Sequence, residues 1–443
     1  MTRMSCLLRI SFIAGFVAAL TVAAGAVGVA DATAATVAIQ ACPYCPPTDA
    51  TLSEKVSEAD AVCLVKFLSS ENGEELSMQT TSLEIVGLIK PIPPYKVGGT
   101  IEIPIGVTAK AGDLFLLIGQ RKEGLMEWAL PVEMDDESLA YVQQAPSPEV
   151  PAKATRLLYF LNCLGNSNPI ISNDAFGEFA RAELEDVQRM IEQLPADPNK
   201  KNSRANVRAK VRKWLEDPSP RLDVRRAFYG MLLGFCGNDD DAQFLEQKLL
   251  APIDPRKNRL GIEGIMAGYL LLNGEPGLKQ IVAMKIDALP VDLADDDPRL
   301  VDLNAVRMTL SFLWDYRRSQ FSENGLRAAM RRFLDRPEFA DMAVIDLARW
   351  KDWSVLDRLI NEFGHAPWET RSAQEKIVAY ALSCRKDVPA SAGDQLPEQA
   401  RKAQIFLDSL DPNLVQSVKR ASGGLSPAAK PAAKTERAGS ANH

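Results

Sequence analysis

The chain has 443 residues, of which 46% are hydrophobic and 25% are charged. This is ordinary globular usage, and it excludes a wholly disordered chain, while the apolar residues beyond the N-terminus are too scattered for a polytopic membrane protein. The 51 basic and 58 acidic residues give a formal charge of −7, which argues against a nucleic acid as partner. The two histidines, His365 and His443, leave little material for imidazole-based catalysis or a histidine-rich metal site.

The N-terminus has the pattern of an export signal. Arg3 and Arg9 precede an apolar run over residues 10–30, and small residues follow at Ala32 and Ala34. We expect residues 1–34 to be a cleaved signal peptide, with an uncleaved N-terminal anchor as the alternative. Either reading predicts an exported protein, periplasmic or extracellular, that contacts a membrane only through this segment.

Residues 42–135 show a β pattern. Thr51 and Glu54 have the spacing of a capping box and predict a short helix that ends near Ala59. Five short strands are then expected, because apolar runs alternate with Gly and Pro; they cover residues 61–68, 80–89, 101–105, 114–118 and 125–132. This pattern predicts a small β-barrel or sandwich.

The chain after residue 135 has a helical pattern. We expect a Pro-rich hinge with linking helices over residues 136–172, an all-α domain over 173–419, and a disordered tail over 420–443. Helix pairs are predicted to start at a spacing of about 40 residues, which is typical of HEAT repeats. The predicted starts lie near Asn173, Asp217, Asn258, Asp297, Arg336 and Thr370. An irregular all-helical domain is the alternative to a repeat array.

Cys42-Pro43-Tyr44-Cys45 is the sharpest motif. As a string it matches the active site of glutaredoxins, but no preceding strand is evident and Pro46 follows. We therefore favour a structural disulfide in an oxidising compartment, which joins either Cys42 to Cys45 or one of them to Cys63. No haem attachment, zinc site or other cofactor is expected from these cysteines.

Other motifs favour structural roles. The acidic triplets at residues 239–241 and 295–297 are interpreted as helix starts and not as calcium loops. Gly261, Gly264 and Gly268 are expected to allow close helix packing. Trp350 and Trp353 should pack between helices, and His365 should lie in a loop; these three residues are also the candidates for an interaction surface.

Several strings resemble a family of uncharacterised exported bacterial proteins. They are residues 41–45, 51–54, 59–62, 111–117, 229–234 and 346–355. The resemblance implies a two-part design and brings no catalytic residues. More loosely, the first part resembles netrin-like and metalloproteinase-inhibitor-like barrels of OB type, whose inhibitors use a free N-terminal cysteine.

These observations predict an α+β multidomain chain with a small OB/netrin-like barrel followed by an all-α HEAT-like domain. The expected function is a non-enzymatic interaction scaffold for a protein or cell-envelope partner, because stacked helix pairs form extended binding faces. Two alternatives remain open: a thiol–disulfide redox protein that uses Cys42 and Cys45, and a protease-inhibitor module.

Overall fold

The computed structural model describes residues 42–46, 48–71, 79–253, 259–388 and 396–423. The expected signal peptide or anchor and most of the expected tail lie outside these ranges. Within them, an antiparallel sheet over residues 61–134 precedes a long helical region, which confirms an α+β chain.

The sheet has six strands in the order β3-β2-β1-β4-β5, and β6 also pairs with β4. Their bounds are β1 Ala61–Glu71, β2 Thr80–Lys90, β3 Thr100–Ile103, β4 Leu114–Lys122, β5 Leu125–Trp128 and β6 Val132–Met134. All pairings are antiparallel. In the described residues β3 and β5 stand at opposite ends of this order, so a closed barrel stays a prediction.

The predicted fifth strand is wrong in one respect, because residues 125–132 form two strands. β5 pairs with the end of β4, and the Ala129 amide donates to the Ile118 carbonyl before the chain leaves the sheet. Pro131 has no N–H to continue the ladder. β6 then pairs with the beginning of β4.

The two faces of the sheet belong to different cores. Val62, Leu116 and Ile118 join the large core that continues through the helices. Neighbouring residues such as Cys63 and Phe115 point to the other face and form a small core within the sheet region. The alternation follows from the pleat, since successive side chains of a strand point to opposite faces.

Sixteen α-helices occur in the described residues. They are α1 Leu52–Glu58, α2 Asp136–Gln144, α3 Lys153–Leu161, α4 Pro169–Arg181, α5 Leu184–Glu192, α6 Arg204–Glu216, α7 Arg226–Cys236, α8 Asp239–Leu250, α9 Ile262–Val282, α10 Arg299–Tyr316, α11 Glu323–Arg331, α12 Ala340–Arg349, α13 Leu356–Glu362, α14 Arg371–Lys386, α15 Glu398–Ser409 and α16 Pro412–Gly423. The large core reaches from Val62 in β1 to Val418 in α16, so one face of the described sheet shares a core with the helices. The predicted domain boundaries themselves stay predictions.

Several helix starts that were predicted from local sequence signals are present in the structure. The capping box of α1 is present, and Thr370 caps α14 as expected. Asn238 and Asp241 form a capping box that opens α8 at the first acidic triplet. At the second triplet, the Asp297 carboxylate accepts from the Arg299 amide at the start of α10.

Three of the predicted helix starts are displaced. Asn173 lies inside α4, which begins at Pro169 after the Asn168 cap. Asp217 is the C-cap of α6, so Pro218 stands after the end of a helix and not at the start of one. Arg336 ends a 3₁₀ turn, and α12 begins only at Ala340. The start predicted at Asn258 lies outside the described residues.

Glycines bring α7 and α9 into close contact, as predicted for Gly261, Gly264 and Gly268. A Cβ on Gly264 would lie 1.9 Å from the Ala227 carbonyl oxygen, and one on Gly268 would lie 2.1 Å from the Gly230 carbonyl oxygen. Because real Cβ atoms never come this close to backbone, the two helices cross at a distance that only glycine permits.

A buried polar cluster ties α1 to the helices. The Asp174 carboxylate accepts from the Leu52 amide at 2.7 Å, and the Tyr141 hydroxyl donates to the same carboxylate at 2.6 Å. The Arg156 guanidinium pairs with Glu178 at 2.6 Å, and both side chains are buried. This cluster holds the N-terminal part of the described chain against α3 and α4.

Candidate functional site

A disulfide joins Cys42 to Cys45, with 5.3 Å between the two Cα atoms. The Cys45 amide also donates to the Cys42 carbonyl at 3.3 Å, which closes the turn. Both cysteines are buried, with 3% and 7% of their surface exposed. We call residues 42–45 the disulfide loop.

The surroundings of this disulfide differ from those of a redox centre. A reactive cysteine of the C-x-x-C type stands exposed at the N-terminus of a helix, where the dipole stabilises the thiolate. Here neither cysteine begins a helix, since α1 starts only at Leu52. Exchange requires access to a sulfur atom, and the core of the protein restricts that access.

Cys63 takes no part in the disulfide. It is a free cysteine in the small core of the sheet, where burial raises the pKa of its thiol to about 11. Such a thiol is a poor nucleophile at neutral pH. Of the pairings that the sequence left open, the structure contains the one between Cys42 and Cys45.

Tyr44 anchors the disulfide loop on the helices. Its ring lies 5.3 Å from the ring of Phe312 in α10, and only 8% of the residue is exposed. Burial raises the pKa of the Tyr44 phenol well above its usual value; the nearby Thr309 opposes this shift, and the nearby Glu263 adds to it. The ring contact with Phe312 therefore holds the loop on the middle of α10.

A groove of about 330 Å³ opens beside the disulfide loop. Two rows of α10 side chains, each with a spacing of four residues, run along it. The apolar row consists of Met308, Phe312 and Tyr316, and the polar row consists of Arg307, Ser311 and Asp315. Pro43 and Tyr44 flank the groove on the side of the loop, and Asp346 and Arg349 contribute from α12. We call this feature the α10 groove.

Ion pairs organise the polar side of the α10 groove. Asp346 is buried and pairs with Arg307 at 3.2 Å and with Arg349 at 3.0 Å. The Ser311 hydroxyl donates to Asp346 at 3.1 Å, and Arg349 also pairs with Asp315 at 3.0 Å. Two guanidinium groups and two carboxylates give this side no net charge, so the groove is suited to a neutral polar group more than to an ion.

The apolar side of the α10 groove is a line of aromatic rings. Tyr44 contacts Phe312, and the ring of Phe312 lies 5.6 Å from the ring of Tyr316. Phe312 is buried, whereas Tyr316 is half-buried at the groove. The line therefore has one end that the chain itself covers and one end that is accessible.

The residues predicted as an interaction surface have different environments. Trp350 is fully buried and stacks on Trp314 with 4.5 Å between ring centroids, so its indole is not available to a partner. Trp353 is half-buried, and its indole N–H donates to Asp387 at 2.8 Å. His365 is exposed in the turn after α13. The packing interpretation of Trp350 fits this structure, and its surface interpretation does not.

Sequence reasoning missed the α10 groove. Its residues show only the periodicity of an amphipathic helix, which is the signal of a helix that packs on a core. The contact of Tyr44 with Phe312 joins two segments that are far apart in sequence, and no local pattern marks it. The one sequence signal that could have indicated the groove is the four-residue spacing of charged and polar side chains at residues 307, 311 and 315.

No family model, curated protein or solved structure was found to match this chain. Among the described residues, no helix is long and apolar enough to cross a membrane. The same part of the chain contains no group of three or more His, Cys, Asp or Glu side chains placed to hold a metal ion.

Proposed function

We propose that this protein is an exported, non-enzymatic interaction scaffold that recognises a protein partner in the cell envelope or outside the cell. The observation that supports this most is the buried disulfide loop on α10. Disulfides persist in oxidising compartments, and a buried one serves to hold structure. The signal-like N-terminal sequence agrees with the same compartment.

The proposed architecture is a HEAT-like array preceded by a barrel-like sheet of the OB or netrin type. In support, helices pack on their next-but-one neighbours along the chain: α3 on α5, α5 on α7, α7 on α9, α12 on α14 and α14 on α16. Stacked helix pairs produce this pattern, since equivalent helices of successive pairs lie side by side. The small core on one face of the sheet supports the barrel-like part.

The two alternative functions have less support. A redox role for Cys42 and Cys45 requires a sulfur that a substrate thiol can reach, and both cysteines are enclosed. An inhibitor of the netrin-like type needs a free cysteine to reach a metal, but the Cys42 sulfur is bonded to Cys45. Both alternatives would regain support if the disulfide were open in the native protein.

Photo-crosslinking in living cells tests the scaffold function. A photoreactive amino acid would replace Val301 in α10, Ile345 in α12 or Ile405 in α15, all of which are exposed. Leu125, exposed on the sheet, is the control position. We expect a discrete crosslinked protein from at least one helical position. Absence of crosslinks from all of them, together with turnover of a disulfide substrate by the purified protein, would contradict the proposal and favour the redox alternative.

A further inference from the structure

We propose that the α10 groove binds an extended peptide segment that carries an aromatic side chain. This inference rests on the proposed scaffold function, because it names the kind of partner segment that the scaffold would recognise. It depends on three features of the groove: its size, its line of rings and its polar side.

The chain itself shows how this surface accommodates a peptide. Pro43 and Tyr44 lie along α10 in a turn without helix or strand structure, and the Tyr44 ring covers Phe312. Tyr316 continues the line of rings by one helical turn and is only half-buried. A second aromatic side chain can therefore lie on Tyr316 as Tyr44 lies on Phe312. Aromatic pairs at such separations stabilise a contact beyond the area that they bury.

The polar side fits the backbone of such a peptide. The Arg349 side chain is exposed at the groove, and its guanidinium has N–H groups to donate to a peptide carbonyl oxygen in addition to those that meet Asp315 and Asp346. Because the guanidinium and carboxylate groups of this side balance, a neutral peptide bond suits it better than a phosphate or a metal ion.

The size of the groove limits the ligand to a short segment. A volume of about 330 Å³ lies at the lower end of the range of small-molecule sites and holds two or three residues of a peptide. The groove is open at the surface, so a longer chain could extend beyond it at either end. Only the central residues of the partner segment would then determine specificity.

The test uses the full chain and a capped peptide, acetyl-Gly-Pro-Tyr-Gly-amide, with acetyl-Gly-Pro-Ala-Gly-amide for comparison. Saturation-transfer NMR would measure binding to the wild type and to the variants Tyr316→Ala and Tyr316→Phe. We expect the tyrosine peptide to bind the wild type and Tyr316→Phe alike, and to bind Tyr316→Ala about tenfold more weakly, because only the alanine variant lacks the ring. The alanine peptide should not bind measurably.

Tyr95→Ala is the matched control, since Tyr95 is another half-buried tyrosine that contacts an aromatic ring, that of Trp128 in the sheet. Thermal unfolding of each variant would show that the protein is folded. Equal binding by wild type and Tyr316→Ala, or no binding by the wild type, would overturn the inference. If crosslinks form from the helices in cells while the peptide does not bind, the scaffold function stands and the α10 groove is not its site.

Discussion

Glu178 is a charged residue that the fold encloses almost completely, with 3% of its surface exposed. Its carboxylate accepts a hydrogen bond from Ser53 in α1 and pairs with Arg156 in α3. Glu178→Gln would leave the buried guanidinium without a counter-charge, so we expect a loss of about 3 kcal/mol in the free energy of unfolding. Chemical denaturation measures this loss.

The matched control is Glu375→Gln, which removes the partner of Arg371 from an exposed pair on α14. Solvent screens that pair, so the same substitution should cost no more than about 0.5 kcal/mol. Equal losses in the two variants would mean that the Glu178 pair does not hold α1 to the helices.

Glu263 predicts a pH dependence. Burial raises the pKa of its carboxyl above the usual value, so the folded state favours the protonated form. Ionising this carboxyl therefore destabilises the folded protein. The destabilisation is absent below the unfolded pKa of about 4.3 and is complete once the pH exceeds the folded pKa. We therefore expect Glu263→Gln to be more stable than the wild type at pH 7, by no more than about 1 kcal/mol because the side chain is partly exposed.

Thermal unfolding of both proteins between pH 3 and pH 7 checks this prediction. The difference should disappear towards pH 3, where the wild-type carboxyl is protonated in both states. A difference that stays constant over the whole range would show that the effect does not come from the charge of Glu263.

The crossing of α7 and α9 depends on glycine at the points of closest approach. Gly264→Ala would place a methyl group 1.9 Å from the Ala227 carbonyl oxygen, so the two helices must separate. We expect a loss of about 2 kcal/mol or more, despite the higher helix propensity of alanine. Gly177→Ala in α4 is the control, because its Cβ would meet nothing nearer than a Thr51 methyl group at 3.3 Å. It should change the stability by less than about 1 kcal/mol.

Elements with local signals could be predicted from the sequence. Thr51 with Glu54, Thr370, and the acidic triplet at residues 239–241 all mark helix starts that the structure contains. Asp217 failed because an Asp-Pro pair can follow a helix as well as open one. The division of the last predicted strand at Pro131 depends on which part of β4 each half meets, and that is a tertiary choice.

At the scale of the whole molecule, the disulfide loop connects the beginning of the described chain to its helical centre. Replacing both Cys42 and Cys45 by serine opens a very small ring, so the chain-entropy contribution is only about 2 kcal/mol. We expect the variant to keep its helical content in circular dichroism and to unfold a few degrees lower. Loss of the folded state would show that the loop does far more than anchor Tyr44, and an unchanged unfolding temperature would show that it stabilises nothing.

The candidate site was the part of the molecule that was hardest to predict from the sequence. The cysteine pair was identified as a motif, and the structure contains one of the pairings that the sequence left open, Cys42 with Cys45. The α10 groove was not identified from the sequence, because it forms where the disulfide loop, α10 and α12 meet. The aromatic and charged rows of α10 are visible in the sequence, but nothing local shows that Tyr44 lies on one of them and Asp346 on the other.

The central claim is that the protein is exported and that its disulfide is permanent and structural. Mass spectrometry of the native protein, alkylated before any reduction, tests this claim most directly. We predict a Cys42–Cys45 disulfide, unlinked Cys63, Cys163, Cys236 and Cys384, and an N-terminus created by cleavage near Ala34. Alkylated Cys42 and Cys45 in a chain that still begins at Met1 would contradict the account.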